Sequence, residues 1–215
     1  VRLRKDCEPF SEAGEKGLLF PGAIMRITGG TVRGQRLAKV RWPDIRPTAD
    51  RVRVSIFNIL GQNLSGLLVL DLFAGSGSLG IESLSRGAER GVFIDNSRRA
   101  LAILNKNIGM CGFKDNSTVI KADLPKGLHQ VKNYGYEQFD LVFMDPPYES
   151  GYVEPTVVKL TEENLLNQDG VIVVERSTRS TDSFPSRIRD LLLRQTKTYG
   201  STSIGFYGFP RHKGE

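Results

Sequence analysis

From Leu67 onward the chain alternates short β-rich apolar runs with longer stretches in which apolar residues recur at helical spacing. Leu67–Leu72, Gly91–Asp95, Ser117–Ala122, Phe139–Asp145 and Val171–Glu175 predict strands. Ser78–Arg86, Ser97–Met110, a weaker segment at Pro125–Val131, and Tyr152–Leu166 predict the helices between them. Strand and helix repeated in this way imply an α/β fold, a parallel sheet covered by helices on both faces. A last helix is expected near Ser186–Leu193, followed by a closing hairpin from Thr196–Tyr199 and Ser203–Phe209. Upstream, Ala49, Val52, Ile56, Ile59 and Leu60 mark an amphipathic helix over Thr48–Leu60. It carries Arg51 and Asn58 on the opposite face and is ended by Gly61. Residues 1–24 are polar and weakly patterned. The chain therefore divides into a leader (1–24), an arm with its helix (25–61) and a larger α/β domain (62–215).

Charge sharpens this division. Residues 26–53 hold eight basic side chains against two acidic, whereas the segments before and after are balanced, so the net charge of +6 sits in the arm. Arg26, Arg33, Arg36, Lys39, Arg41, Arg46, Arg51 and Arg53 supply it, and the planar arginine fork suits phosphate oxygens and base edges. A local basic patch on an otherwise balanced chain is the footprint of a polyanionic partner. No apolar run approaches the roughly 18–20 residues of a membrane-spanning helix, and the early run Gly17–Pro21 is too short for a secretory signal, so a cytoplasmic protein is expected. Cys7 and Cys111 lie far apart with no metal-binding spacing, and His129 and His212 have no partner constellation. Trp42, beside Pro43, is as well suited to stack on a base as to anchor the arm.

The first strand ends Leu70-Asp71-Leu72-Phe73 and runs into Ala74-Gly75-Ser76-Gly77-Ser78-Leu79-Gly80. A glycine-rich turn at the carboxyl end of a strand lets a ligand approach the backbone closely. Gly75, Gly77 and Gly80 satisfy the dinucleotide pattern G-x-G-x-x-G, but Asp71 argues for a different ligand. A pyrophosphate would be repelled by this carboxylate, whereas the ammonium of S-adenosylmethionine would be attracted. The second strand ends in Asp95 and Asn96, where a carboxylate can take both hydroxyls of a ribose. The third ends in Ala122-Asp123, placed to accept from an adenine amino group. Asp71, Phe73, Gly75, Gly77, Asp95, Asn96, Ala122 and Asp123 are the expected cofactor contacts.

The fourth strand runs into Asp145-Pro146-Pro147-Tyr148. An exocyclic amino nitrogen is conjugated with its ring and a poor nucleophile, so a site that methylates it must hold its hydrogens in acceptors. Asp145 offers a carboxylate and Pro146 a carbonyl, while two prolines fix φ and supply no N–H, leaving a rigid corner of acceptors. Tyr148 can stack on the base. Asp145, Pro146, Pro147 and Tyr148 are the expected catalytic residues, with S-adenosylhomocysteine as by-product and no metal.

With these residues the chain resembles the class I S-adenosylmethionine-dependent methyltransferases and, within them, the bacterial family that methylates N2 of a guanine in 16S rRNA. The resemblance covers residues 25–208 or so. It rests on Arg26-Ile27-Thr28-Gly29-Gly30 with Arg33-Gly34, Arg46-Pro47-Thr48, Arg51-Val52-Arg53, Phe57-Asn58-Ile59-Leu60, Asp71 to Gly80, and Asp145 to Tyr148. It implies a Rossmann-like, mostly parallel sheet of seven strands with an antiparallel last strand, and an RNA presented in the small ribosomal subunit or its precursor, while nothing in the sequence demands more than a monomer. Arg26, Arg33, Arg36, Arg46, Arg51 and Arg53 are the expected RNA contacts. Val54 stands where the family usually has glutamate after the second arginine of Arg-Val-Arg. A DNA amino-methyltransferase acting on adenine N6 or cytosine N4 would use the same catalytic corner, but the chain has no inserted target-recognition segment. A glutamine-methylating enzyme of translation would be expected to carry Asn at the place of Asp145. A nicotinamide oxidoreductase would explain the glycine turn without Asp71 or the proline corner, and a non-catalytic RNA-binding module would explain the basic stretch alone.

Overall fold

The computed structural model describes Leu3 and residues 25–38, 50–147, 151–179 and 183–210. The arm begins with an antiparallel pair, β1 (Met25–Arg26) and β2 (Arg36–Leu37), followed by α1 (Asp50–Leu60). Then come β3 (Leu68–Leu72), α2 (Ser78–Ser85), β4 (Arg90–Asp95), α3 (Arg98–Cys111), β5 (Ser117–Lys121), β6 (Phe139–Met144), α4 (Val153–Glu162) and β7 (Leu166–Ser177). The chain closes with β8 (Arg187–Ile188), β9 (Leu191–Tyr199) and β10 (Thr202–Gly208). The expected segment at Pro125–Val131 is a 3-10 helix over Lys126–Tyr134.

The main sheet has the order β5-β4-β3-β6-β7-β10-β9-β8. Strands β3 to β7 are mutually parallel, and β10, the last in sequence, inserts antiparallel between β7 and β9. Seven strands of ordinary length therefore form the mixed α/β sheet that the resemblance implies, and the two-residue β8 adds an eighth at the edge.

Both sheet faces are buried, and strand alternation divides their side chains between two apolar clusters. Leu141 and Phe143 of β6 point to the face covered by α1, α2 and α3, whereas Val142 and Met144 point to the face covered by α4 and the 3-10 helix. The first cluster also contains Met25, Ile27 and Leu37, so the arm shares the core of the domain it precedes. Helix α3 starts where the Ser97 hydroxyl accepts the Ala100 N–H at 3.3 Å and stops at Gly112, whose φ of 76° belongs to glycine.

The helix expected near Ser186–Leu193 is instead a tight hairpin. Ile188 and Leu191 face each other across Arg189 and Asp190, with Arg189 at φ 53°. Apolar residues at 188, 191 and 192 have the i, i+3, i+4 spacing of a helix, but a two-residue turn also brings the first two together. The other elements stand within a few residues of expectation, except that β7 begins at Leu166 and displaces the end of the helix expected there. Thr48 and Ala49, at the expected start of the first helix, lie outside the described residues. No helix among the described residues is long and apolar enough to cross a membrane.

Phe57 is fully buried, its ring 5.9 Å from that of Phe143 and 4.5 Å below the Arg86 guanidinium. Phe57→Ala is expected to lower the unfolding free energy by about 3–5 kcal/mol. The check is a denaturant midpoint that moves while the slope stays the same.

Candidate active site

Four acids share one face at the carboxyl ends of four adjacent strands. In register Asp71 of β3 lies opposite Phe93 of β4 and Phe143 of β6, and Phe143 lies opposite Val173 of β7. Val69, Phe93, Phe143 and Val173 all belong to the cluster under α1 to α3. Two residues further along each strand, the same face carries Asp71, Asp95, Asp145 and Glu175. Open parallel sheets bind ligands at this end.

The turn after β3 is shaped by residues that depart from ordinary backbone. Phe73, Gly75 and Gly77 have φ of 59°, 56° and 78°, which folds the chain sharply from strand into α2. The Asp71 carboxylate accepts the Gly80 N–H at 2.9 Å, and Asp95 accepts the Gly75 N–H at 2.9 Å and the Ser97 N–H at 2.8 Å. The acids thus brace the glycine turn as well as lining it. Gly80 is glycine for a packing reason, since a Cβ there would stand 2.3 Å from the Phe93 ring. Asn96 donates to Asp123 at 3.0 Å, joining the ends of β4 and β5, and Ala122 donates its N–H to the Asp95 carbonyl at 3.2 Å. The ring of Phe73 lies 5.6 Å from that of Tyr152.

Crowding of like charge in a buried place shows in the acidities. Burial, opposed by the Gly80 N–H and assisted by Asp95, pushes the Asp71 carboxyl up from its ordinary 3.8 to about 7. Asp145 is raised well above the carboxylate range, by burial first and then by Glu175 and Asp71. Pro146 is buried and Pro147 exposed, while Tyr148 lies outside the described residues.

Glu175 is the residue that the motifs do not single out. It is only 3% exposed at the end of β7, beside the proline corner. Its signal in the sequence is positional, an acid closing an apolar run as Asp71, Asp95 and Asp145 do.

The arm lies on the same face, behind the turn. Thr28 donates to Glu82 of α2 through its N–H at 2.8 Å and its hydroxyl at 2.7 Å, and Arg86 donates to Glu82 at 2.7 Å. Ser85 donates to the Gly29 carbonyl at 2.6 Å and accepts the Val32 N–H at 3.1 Å. Arg53 corrects an expectation. It is fully buried, ion-paired to Asp50 at 2.9 Å, bonded to the Arg26 carbonyl and 3.9 Å from Glu82, so it is a core residue with no surface to offer RNA. Burial lowers its guanidinium pKa, with Asp50 and Glu82 opposing. Arg33, Arg36 and Arg51 are exposed, and Arg26 is half-buried with its guanidinium on the Gly34 carbonyl at 3.3 Å. Arg46, like Lys39, Arg41 and Trp42, lies outside the described residues. Val54 of α1, at the position where the family usually has glutamate, is half-buried.

A protein family described as "Conserved hypothetical protein 95" matches residues 25–208. The Haemophilus influenzae protein named ribosomal RNA small subunit methyltransferase D is 36% identical over 185 residues, covering 85% of this chain and 93% of its own. YlbH of Bacillus subtilis is 34% identical over 185 residues, covering 85% and 98%. Among solved structures, yhhF of Escherichia coli superposes with a TM-score of 0.70 at 29% identity, covering 87% of this chain and 98% of that one.

The acidity of Asp71 has a measurable sign. A carboxyl whose pKa is higher folded than unfolded stabilises the fold fully below its ordinary 3.8 and loses that contribution as pH rises through about 7. Unfolding midpoints of the protein without ligand are expected to fall from about pH 5 to about pH 8. Asp71→Asn should flatten this decline, and an equally steep decline in the variant would refute the assignment.

Proposed function

The chain is a member of the Conserved hypothetical protein 95 family, and on that premise we propose that it methylates the exocyclic N2 of a guanine in 16S rRNA. The donor is S-adenosylmethionine, and the RNA is presented in the small ribosomal subunit or its precursor. One observation carries the chemistry. Asp145, in a corner stiffened by Pro146 and Pro147, directly follows the strand beside the glycine turn and continues the sheet face that carries Asp71. The relatives named ribosomal RNA small subunit methyltransferase D, at 36% identity in Haemophilus influenzae and 32% in Escherichia coli, support the RNA substrate.

The residues present fit this donor. Positive φ at Phe73, Gly75 and Gly77 turns the chain sharply where an aminoacid group would lie, and a buried, raised carboxyl at Asp71 is stabilised by an incoming ammonium. Asp95 has oxygen lone pairs left after its two backbone bonds to accept from ribose hydroxyls, and Asp123 would accept from an adenine amino group. Asn96 holds Asp123 in place, and Ala122 closes the wall beside it. The donor, when bound, supplies a methyl group on a sulfonium, which leaves S-adenosylhomocysteine behind.

The chain's own task is to hold the acceptor nitrogen. Asp145 and the Pro146 carbonyl take its hydrogens and favour pyramidal geometry, while Tyr148 stacks on the base. Burial first, and then Glu175 and Asp71, keep the Asp145 proton affinity high, which suits a carboxylate that receives a hydrogen as the nitrogen gives one up. The exposed Arg33, Arg36 and Arg51, with Arg26 and Arg46, grip the RNA backbone as the guanine is turned out of its stack. The proposed reaction requires no metal and no second copy, and its substrate places it in the cytoplasm.

The deciding experiment incubates the protein with labelled donor and, in parallel, free 16S rRNA, small subunits lacking their modifications, and duplex DNA. N2-methylguanosine from the ribosomal material is expected. Label in DNA, or none anywhere despite donor binding, overturns the substrate. Asp145→Ala should lower turnover by about 100-fold or more with donor affinity nearly intact. Arg33→Ala and Arg36→Ala should each weaken RNA binding and reduce its log–log salt slope by about 0.7–0.9.

A further inference from the structure

Asn107 belongs neither to the row of acids nor to the basic surface, yet it touches the supports of both. It is fully buried in α3. Its Oδ1 accepts the Ala38 N–H at 2.7 Å, and its Nδ2 donates to the Ala38 carbonyl at 3.0 Å and to the Ser76 carbonyl at 2.9 Å. One amide thereby uses both of its hydrogens and its oxygen, an arrangement that neither an aspartate nor an aliphatic side chain can reproduce. Ser76 is the residue between Gly75 and Gly77, so its peptide lies in the glycine turn. Ala38 directly follows β2, the strand whose hairpin exposes Arg33 and Arg36. A second tie joins the same parts, from the Ser76 hydroxyl to the Met25 sulfur at 3.8 Å. The turn is thus fastened to both the first and the last described residues of the arm hairpin.

We propose that Asn107 is a positioning residue that couples the glycine turn to the arm, so that occupation of the donor site and RNA binding strengthen one another. This rests on the function proposed above. The turn's backbone is set by left-handed glycines on either side of Ser76, and a ligand that fixes Ser76 also fixes the partner of Ala38. Two sites that share one buried support are linked by a coupling free energy, and the linkage is reciprocal.

The test uses the full chain and measures the affinity of an unmodified 16S rRNA transcript with and without saturating S-adenosylhomocysteine. It also measures S-adenosylhomocysteine affinity with and without the RNA. The wild-type protein should bind each ligand at least about fivefold more tightly in the presence of the other. Asn107→Asp keeps the acceptor for the Ala38 N–H and loses both donors. Asn107→Ala loses all three bonds. In both variants the ratio should fall towards one, while a merely structural role would lower the melting temperature and leave the ratio unchanged. If Asn107→Ala does not fold, the wild-type ratio and Asn107→Asp decide the matter. Wild-type protein that binds both ligands with no mutual effect, or variants that keep the full ratio, would overturn the coupling alone. Absence of binding to either ligand would overturn the proposed function, and the coupling with it.

Discussion

The buried carboxylate of Glu82 holds the molecule together. It sits in α2 with no exposed surface and meets Thr28 of the arm, Arg86 of its own helix and, at longer range, Arg53 of α1. A lone charge at this depth would be too costly to keep, and removal of one partner from a buried ion pair costs about 3–5 kcal/mol. The network is therefore all or none. The Thr28 hydroxyl shows why, because it donates to Glu82 while accepting from Arg86 at 3.1 Å. The arm does not adhere to the domain by apolar contact alone; it completes a polar group that the domain cannot satisfy by itself.

The same face of the sheet carries two opposite electrostatic arrangements. Behind the glycine turn, each buried charge has a countercharge close by. At the mouth of the turn carboxyl groups lie close to one another, and burial first, with neighbouring carboxylates adding to it, makes Asp71 and Asp145 hold their protons more tightly. A fold optimised for stability alone would not gather carboxylates there. Their concentration makes the strand ends receptive to cations and to hydrogen-bond donors, and the well-paired cluster a few residues away keeps the frame from yielding to the repulsion.

The strands, the glycine turn and the acids at Asp71, Asp95 and Asp145 were legible in the sequence because each combines a local pattern with a chemistry that the pattern explains. Arg53 was not, although Ile56, Phe57 and Leu60 follow it at i+3, i+4 and i+7, which places it on the apolar face of α1. Composition grouped it with the surface arginines, and only the depth of Glu82 explains why a guanidinium belongs inside. Ser186–Leu193 misled for the opposite reason. Its apolar spacing fits a helix as well as a tight hairpin, and the open edge of β9 selects the hairpin. Glu175 had a readable position but no motif, and its meaning depends on the register that brings β7 beside β6. Asn107 was invisible, since its partners lie 69 and 31 residues away.

Those separations bear on how the chain comes into being. During synthesis the arm emerges well before the groups that hold it: Glu82 follows Thr28 by 54 residues and Asn107 follows Ala38 by 69. Until α2 and α3 exist, Ile27 and the other apolar residues of the arm lack much of the cluster in which they pack. The basic segment around Arg33 and Arg36 is thus made before the groups that fasten it, and the first contacts of α2 and α3 with the arm have to take that segment back from its surroundings.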